Sequence, residues 1–181
     1  MNSMADKDLK DLKTRMQQIR LVAMDVDGVL TEGRLMYTGD RQEICCFNIK
    51  DGMGLTMARH AGLKIVIISG RESEVVARRA KDLQFSAVYQ GVIKKLGPFI
   101  QLQSKYNLTK EQMCYIGDDV NDLPIFQEAG LAVAVADAVE EVKLLAHYVT
   151  KLPGGGGAVR EITDKILHVQ GLYQEVLKVF R

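Results

Sequence analysis

Tryptophan is absent from this sequence, and cysteine nearly so: Cys45, Cys46 and Cys114 are the only three. An odd count, with two cysteines adjacent and no CxxC, argues against both a disulfide framework and a cysteine zinc site. Reduced thiols in a cytoplasmic protein are the expectation. Charge of one sign is lacking too. Lys plus Arg is 24 and Asp plus Glu is 23, so the formal net charge is +1. That balance provides no electrostatic basis for nucleic acid or an anionic membrane as partner. No apolar run approaches the ~20 residues of a membrane span. The opening MNSMADKDLKDLKTRMQQ is charged and has no apolar core of the kind a signal peptide needs. A soluble, cytoplasmic chain is expected.

What is present is an ordinary globular composition, 47% apolar over 181 residues. That length suits a single domain, 1–181, and buries roughly 70% of the unfolded surface without staples. Leu9, Leu12, Met16 and Ile19 recur at helical spacing. LVAM (21–24) then reads as a buried strand. Residues 34–47 read as a β-hairpin around Thr38-Gly39-Asp40-Arg41. DGMGLTMARHAG reads as a helix entered at Asp51 and closed by Gly62. LKIVIIS is the most β-branched run and a central strand. RESEVVARRAKDLQF is a helix with Val75, Val76, Ala80 and Leu83 on its apolar face. SAVYQG is a short strand, and another helix begins at Leu96. Thr109 with Gln112 has the spacing of a capping box. MCYI is a strand, NDLPIFQEAG a helix, LAVAVA a strand, DAVEEVKLLA a helix and HYVT a further strand. The Gly-rich KLPGGGG opens a last helical segment, 153–181. Strands alternating with helices predict an α/β fold with a mostly parallel sheet.

Three polar clusters follow apolar runs directly: DVDG after LVAM, SGR after KIVII, and GDDVND after MCYI. In parallel α/β sheets, ligands bind beyond the carboxyl ends of the strands. Side chains two apart on a strand point the same way, so Asp25 and Asp27 are expected to face one crevice. Clustered carboxylates repel, and one takes up a proton unless a cation intervenes. Asp25, Asp118 and Asp119 together offer hard oxygen ligands of the type Mg²⁺ prefers. With Mg²⁺ present, one carboxylate can attack phosphorus and a second can protonate the leaving oxygen. Ser69, Arg71 and one of Lys94 or Lys95 supply hydrogen bonds and positive charge for phosphoryl oxygens. GDDVND has neither the spacing nor the terminal Glu of an EF-hand, and GGGG lacks the GK[ST] of a P-loop. His60, His147 and His168 are scattered and read as structural.

This order of motifs resembles the haloacid dehalogenase superfamily of phosphotransferases: DxDG, then Ser or Thr, then Lys, then GDxxxD. The resemblance implies a Rossmann-like α/β fold. It implies Asp25 as nucleophile, Asp27 as general acid and base, and Ser69 and Lys95 as phosphoryl ligands, with Lys94 competing for the Lys95 role. Mg²⁺ would be held by Asp25, Asp27 (through its backbone carbonyl) and Asp118, with Asp119 and Asp122 behind them. Only 41 residues separate Asp27 from Ser69, too few for a folded cap domain. Water must then be excluded by something else, such as another subunit.

DVDGVLTEG, FNIKDGMGL, IISGR, YIGDDVNDLP and GGGGAVREI are together similar to the capless family of 3-deoxy-D-manno-octulosonate 8-phosphate phosphatases. That similarity implies a phosphorylated 2-keto-3-deoxy sugar acid as substrate, in lipopolysaccharide sugar synthesis. It implies substrate contacts at Asn48, Lys50, Asp51, Gly52, Arg71 and Arg79, although Lys50 and Thr56 stand where some members carry arginine. It also implies a homotetramer joined through the hairpins, with the Gly-rich segment reaching a neighbouring site. From the residues themselves, Arg71 and Arg79 are read as sharing a helix face, and Asn48 and Asp51 equally suit helix caps. The hairpin arms carry more apolar surface than a lone ribbon keeps in water. The alternatives are a phosphatase for a nine-carbon 2-keto acid phosphate and a catalytically silent partner domain.

Overall fold

The computed structural model describes residues 4–39 and 42–181. The first half of the chain runs α1 (Met4–Gln18), β1 (Leu21–Met24), β2 (Met36–Tyr37), β3 (Glu43–Ile44), α2 (Ile49–His60), β4 (Lys64–Ile68), α3 (Glu74–Asp82) and β5 (Ala87–Tyr89). The second half runs α4 (Leu96–Tyr106), β6 (Met113–Gly117), α5 (Leu123–Phe126), β7 (Leu131–Ala134), α6 (Glu140–Leu145), β8 (Tyr148–Val149), α7 (Ala158–Val169) and α8 (Tyr173–Leu177). Six strands form one sheet in the order β5-β4-β1-β6-β7-β8, every neighbour parallel. Helices flank it, the α/β architecture that the alternating pattern predicts. Strands buried on both faces read as continuous apolar runs, and LVAM, MCYIG and LAVA are buried at every position.

The strand order places the site. β1 lies between β4 and β6, so the chain leaves β1 on one side and later returns on the other. Such a reversal opens a crevice at the carboxyl ends of the strands. The register puts Met24 beside Ile67 and Ile116. The three polar clusters therefore end up side by side although they are far apart in sequence. Phe99, Tyr115 and Phe126 pack edge to face beneath them, with centroids 5.8 and 6.1 Å apart, and hold β6 against the helices.

Several local expectations shift. Leu9 is 64% exposed, so the core-facing side of the first helix is carried by Leu12, Met16 and, just beyond its end, Ile19. Helix α2 starts at Ile49 rather than Asp51, because Asn48 caps it by accepting from the Lys50 N–H at 2.8 Å. Helix α3 begins only at Glu74, where Ser73 accepts from the Val76 N–H. The segment after GDD is a single tight turn, Val120–Asp122, followed by a four-residue helix. Gln112 does accept from the Thr109 N–H at 3.0 Å, but over one 3₁₀ turn. The hairpin is present with arms of two residues each, β2 and β3. Asp40 and Arg41 of its turn lie outside the described residues. Leu35, Met36, Tyr37 and Ile44 are all exposed, so these hairpin side chains do not pack into this chain's own core, whereas Phe47 at the end of the second arm does pack against it. Among the described residues no cap domain intervenes: β2, β3 and α2 occupy the stretch from β1 to β4, and α3 and β5 the stretch from β4 to α4.

Candidate active site

Asp25 follows β1 directly, and its backbone N–H donates to the Ile116 carbonyl at 3.1 Å. Its Oδ1 accepts from the Val26 N–H at 2.7 Å. Its Oδ2 accepts from the Lys95 ammonium. The chain then turns tightly: the Val26 carbonyl accepts from the N–H groups of Val29, Leu30 and Thr31. Gly28, at φ +82°, makes this turn possible, and a Cβ there would collide with the Asp118 carboxylate. Asp25, Asp27, Gly70, Arg71, Asp118 and Asp119 line one open cleft of about 270 Å³. Ser69 closes the strand end beside it, buried, with its Oγ accepting from the Arg71 N–H.

Lys95 is the buried member of its pair and Lys94 the exposed one. The Lys95 ammonium donates to Asp25 and, at 2.8 Å, to Asp122 Oδ1. The Tyr115 hydroxyl donates to the same Asp122 oxygen at 2.7 Å, and the Asp118 N–H to the other at 3.1 Å. Asp122 is thus a fully buried hub whose oxygens are already committed to hydrogen bonds. Asp119 instead accepts from the Val120 N–H at the exposed rim.

Charge is unbalanced at this centre. Asp25, Asp118 and Asp122 each present an oxygen within 4.8 Å of the others, against the single Lys95 ammonium. Burial, then Asp122, pushes the Asp25 carboxyl up to about 6 even though Lys95 opposes it. Burial, then Asp122 and Asp25, pushes Asp118 up to about 8. Burial disfavours the Lys95 ammonium, but Asp122 and Asp25 more than offset this and raise its pKa. Asp118 Oδ1 is buried and accepts no hydrogen bond from the described residues. A divalent cation with oxygen preference fits that donor set: it neutralises the excess charge and gives the orphaned oxygen a partner. The carboxylate of Asp27 stands apart from this trio and pairs with Arg71 at 3.1 Å.

The residues implied as substrate contacts separate into three places. Arg71 is in the cleft. It precedes α3 instead of sharing a helix with Arg79, because Ser73 caps the helix after it. Asn48, Asp51, Gly52 and Arg79 surround a small separate hollow, where the Arg79 guanidinium lies 5.7 Å from the Phe47 ring. Asn48 donates to the Gly155 carbonyl at 3.1 Å as well as capping α2. Asp51 is buried and accepts from the Arg160 N–H at 2.7 Å in the first turn of α7. Lys50 is exposed. The Gly-rich segment packs against the turn that follows β1: the Gly155 N–H donates to the Val29 carbonyl at 2.9 Å. It can approach so closely because glycine carries no Cβ; at Gly154 one would strike the Gly28 carbonyl.

Two residues at this site escaped sequence reasoning. Tyr115 sits mid-strand in an apolar run, and nothing local shows that its hydroxyl reaches Asp122. Glu43 lies on β3, where it accepts from both Arg71 and Ser73; only the fold brings the hairpin to the cleft.

A family model described as haloacid dehalogenase-like hydrolase matches residues 88–162. The chain is 39% identical to 3-deoxy-D-manno-octulosonate 8-phosphate phosphatase KdsC of Escherichia coli (strain B / BL21-DE3), covering 91% of this chain and 88% of that one. It superposes with a TM-score of 0.92 and 35% identity on the Moraxella catarrhalis phosphatase of that name, solved with magnesium, phosphate and KDO, covering 96% of this chain and 99% of that one. The cobalt-bound Haemophilus influenzae phosphatase gives a TM-score of 0.85 at 39% identity, covering 88% and 93%. An acidic crevice at the switch point of a capless parallel sheet, with identity of this extent over nearly the whole chain, identifies the protein as a member of the haloacid dehalogenase-like 3-deoxy-D-manno-octulosonate 8-phosphate phosphatase family.

Proposed function

We propose that this chain is a Mg²⁺-dependent phosphomonoesterase that hydrolyses 3-deoxy-D-manno-octulosonate 8-phosphate to the free sugar acid and phosphate, in lipopolysaccharide sugar synthesis. The observation that carries the reading is Asp25. It is buried at the end of the central strand, paired with Lys95, and borders the same cleft as Asp27 and Asp118. Its similarity to relatives of that name supports the substrate.

Asp25 attacks phosphorus and forms an aspartyl-phosphate. Asp27 gives its proton to the departing sugar oxygen, then takes one from the water that opens the intermediate. Lys95 and the Ser69 hydroxyl bind the phosphoryl oxygens, and Lys95 keeps Asp25 ionised. Asp25, the Asp27 carbonyl and Asp118 would hold Mg²⁺, with Asp122 and Asp119 supporting them; the ion supplies positive charge against the phosphoryl group. An adjoining groove of about 770 Å³, bordered by Tyr37, Gln42, Glu43, Arg71 and Ser73, has room for a sugar acid beside the phosphate cleft.

The cleft is open, and phosphoryl transfer benefits from exclusion of water. Met36 and Ile44, paired across the hairpin, and Leu35 and Tyr37, which alternate to its other face, are all exposed, and Tyr37 borders the groove. That supports a homotetramer assembled through hairpins, with neighbours covering each cleft. Light scattering of the wild type against a Met36→Glu/Ile44→Glu variant tests it: a tetramer that falls apart agrees, and a monomeric wild type refutes it.

The functional test is kcat/KM with Mg²⁺ across a phosphate panel: 3-deoxy-D-manno-octulosonate 8-phosphate, its nine-carbon analogue and glucose 6-phosphate. A preference of about 100-fold or more, roughly 2.7 kcal/mol, for the eight-carbon acid is expected. Equal, slow turnover of all three would sink the substrate assignment, and no turnover would sink the enzyme.

A further inference from the structure

The Arg71 guanidinium is held at two ends. One nitrogen donates to Asp27 at 3.1 Å, and the other to Glu43 Oε1. Glu43 is itself anchored, since its Oε2 accepts from the Ser73 hydroxyl, and Ser73 is fixed as the cap of α3. The Ser73 N–H donates to the Gln90 side chain at 2.9 Å, and the Arg71 carbonyl accepts from the Gly91 N–H at 3.1 Å. The Glu43 side chain is only 14% exposed, against 34% for Arg71. The more enclosed partner is therefore the carboxylate on the hairpin. A planar guanidinium bridging two carboxylates through two of its nitrogens is fixed in direction as well as charge.

We infer that Glu43 is a positioning residue: it aims Arg71 at Asp27 and so holds the Asp27 carboxyl where the leaving oxygen departs. The inference rests on the proposed role of Asp27 and goes beyond it. Without Glu43, Arg71 keeps one carboxylate partner and gains the rotamer freedom of an arginine at the cleft mouth. Asp27 then loses its fixed neighbour. Two of the five guanidinium N–H groups make these contacts, and among the described residues the others have no hydrogen-bond partner.

The experiment measures kcat/KM with Mg²⁺ for the wild type, Glu43→Ala, Arg71→Ala and the double variant. The substrates are phenyl phosphate, p-nitrophenyl phosphate and 3-deoxy-D-manno-octulosonate 8-phosphate. Phenolate is the poorer leaving group and depends more on a proton from Asp27. Glu43→Ala should lose about ten-fold on phenyl phosphate and markedly less on p-nitrophenyl phosphate, within the range of general acid catalysis. Glu43→Gln, which keeps the shape and an acceptor for Arg71, should recover part of the loss. If Glu43 acts through Arg71, the double variant is no worse than Arg71→Ala on whichever substrates are turned over. Equal losses on both aryl phosphates, fully additive losses, or a Glu43→Ala variant as active as wild type would each overturn the inference. A wild type inactive on all three substrates would instead overturn the phosphatase reading, and this role with it.

Discussion

The Lys95 ammonium lies 2.8 Å from Asp122 Oδ1, with both side chains essentially sealed from solvent. Two groups that cost several kcal/mol each to desolvate are stable there because each is the other's partner. Lys95→Met keeps the stem and removes the charge, leaving Asp25 and Asp122 buried without their cation. We expect a loss of about 3–5 kcal/mol in metal-free urea unfolding, with phosphatase activity reduced to background. An unchanged unfolding midpoint would show that the pair contributes nothing to the fold.

Asp25→Asn should behave in the opposite way. It removes one negative charge from a centre with too many, while Lys95 keeps Asp122. Turnover should vanish, yet the metal-free melting temperature should hold or rise. Acid-quenched protein incubated with labelled substrate should carry phosphate in the wild type and none in the variant. Near-normal turnover by Asp25→Asn would rule out the aspartyl-phosphate.

The raised carboxyls have a direct pH consequence for the metal-free protein. Between the ordinary value of 3.8 and about 8, folded Asp118 retains a proton that the unfolded chain has released. The native state therefore binds more protons, and stability falls as pH rises through that window. Mg²⁺ requires the ionised carboxylates, so its binding expels protons and weakens as pH falls. Calorimetry at pH 7 in two buffers of different ionisation enthalpy should show proton release. Identical heats in both buffers would contradict it.

Gly28→Ala combines two penalties: a φ of +82° and a methyl group directed at the Asp118 carboxylate. The backbone cost alone is of order 1–2 kcal/mol. Displacement of Asp118 should also raise the Mg²⁺ concentration for half-maximal activity by about ten-fold or more. A variant with wild-type Mg²⁺ dependence would mean that Asp118 lies clear of the metal.

Much of this architecture is legible locally. A buried parallel strand needs an unbroken apolar run, and the next polar residues must stand at the strand's end. DVDG, SGR and GDD therefore mark the crevice in the sequence itself. The choice between Lys94 and Lys95 was not legible, because adjacent residues at a helix start differ only in the direction they face. Arg71 and Arg79 misled for a similar reason: their spacing suits one helix face, but the Ser73 cap starts the helix after Arg71. Asn48 and Asp51 carry the dual character their residue types allow. Both are tied to the C-terminal segment through Gly155 and Arg160, more than a hundred positions away.

Periodicity and residue type thus determined the element order, the parallel sheet and the acidic strand ends, since these follow from backbone geometry and local burial. Tertiary structure decided which charges meet. Glu43 on the hairpin, Tyr115 within a strand and Asp122 after β6 acquire their partners only when the sheet order is set. Electrostatic partnership depends on distance in space and on desolvation, and a linear pattern contains neither.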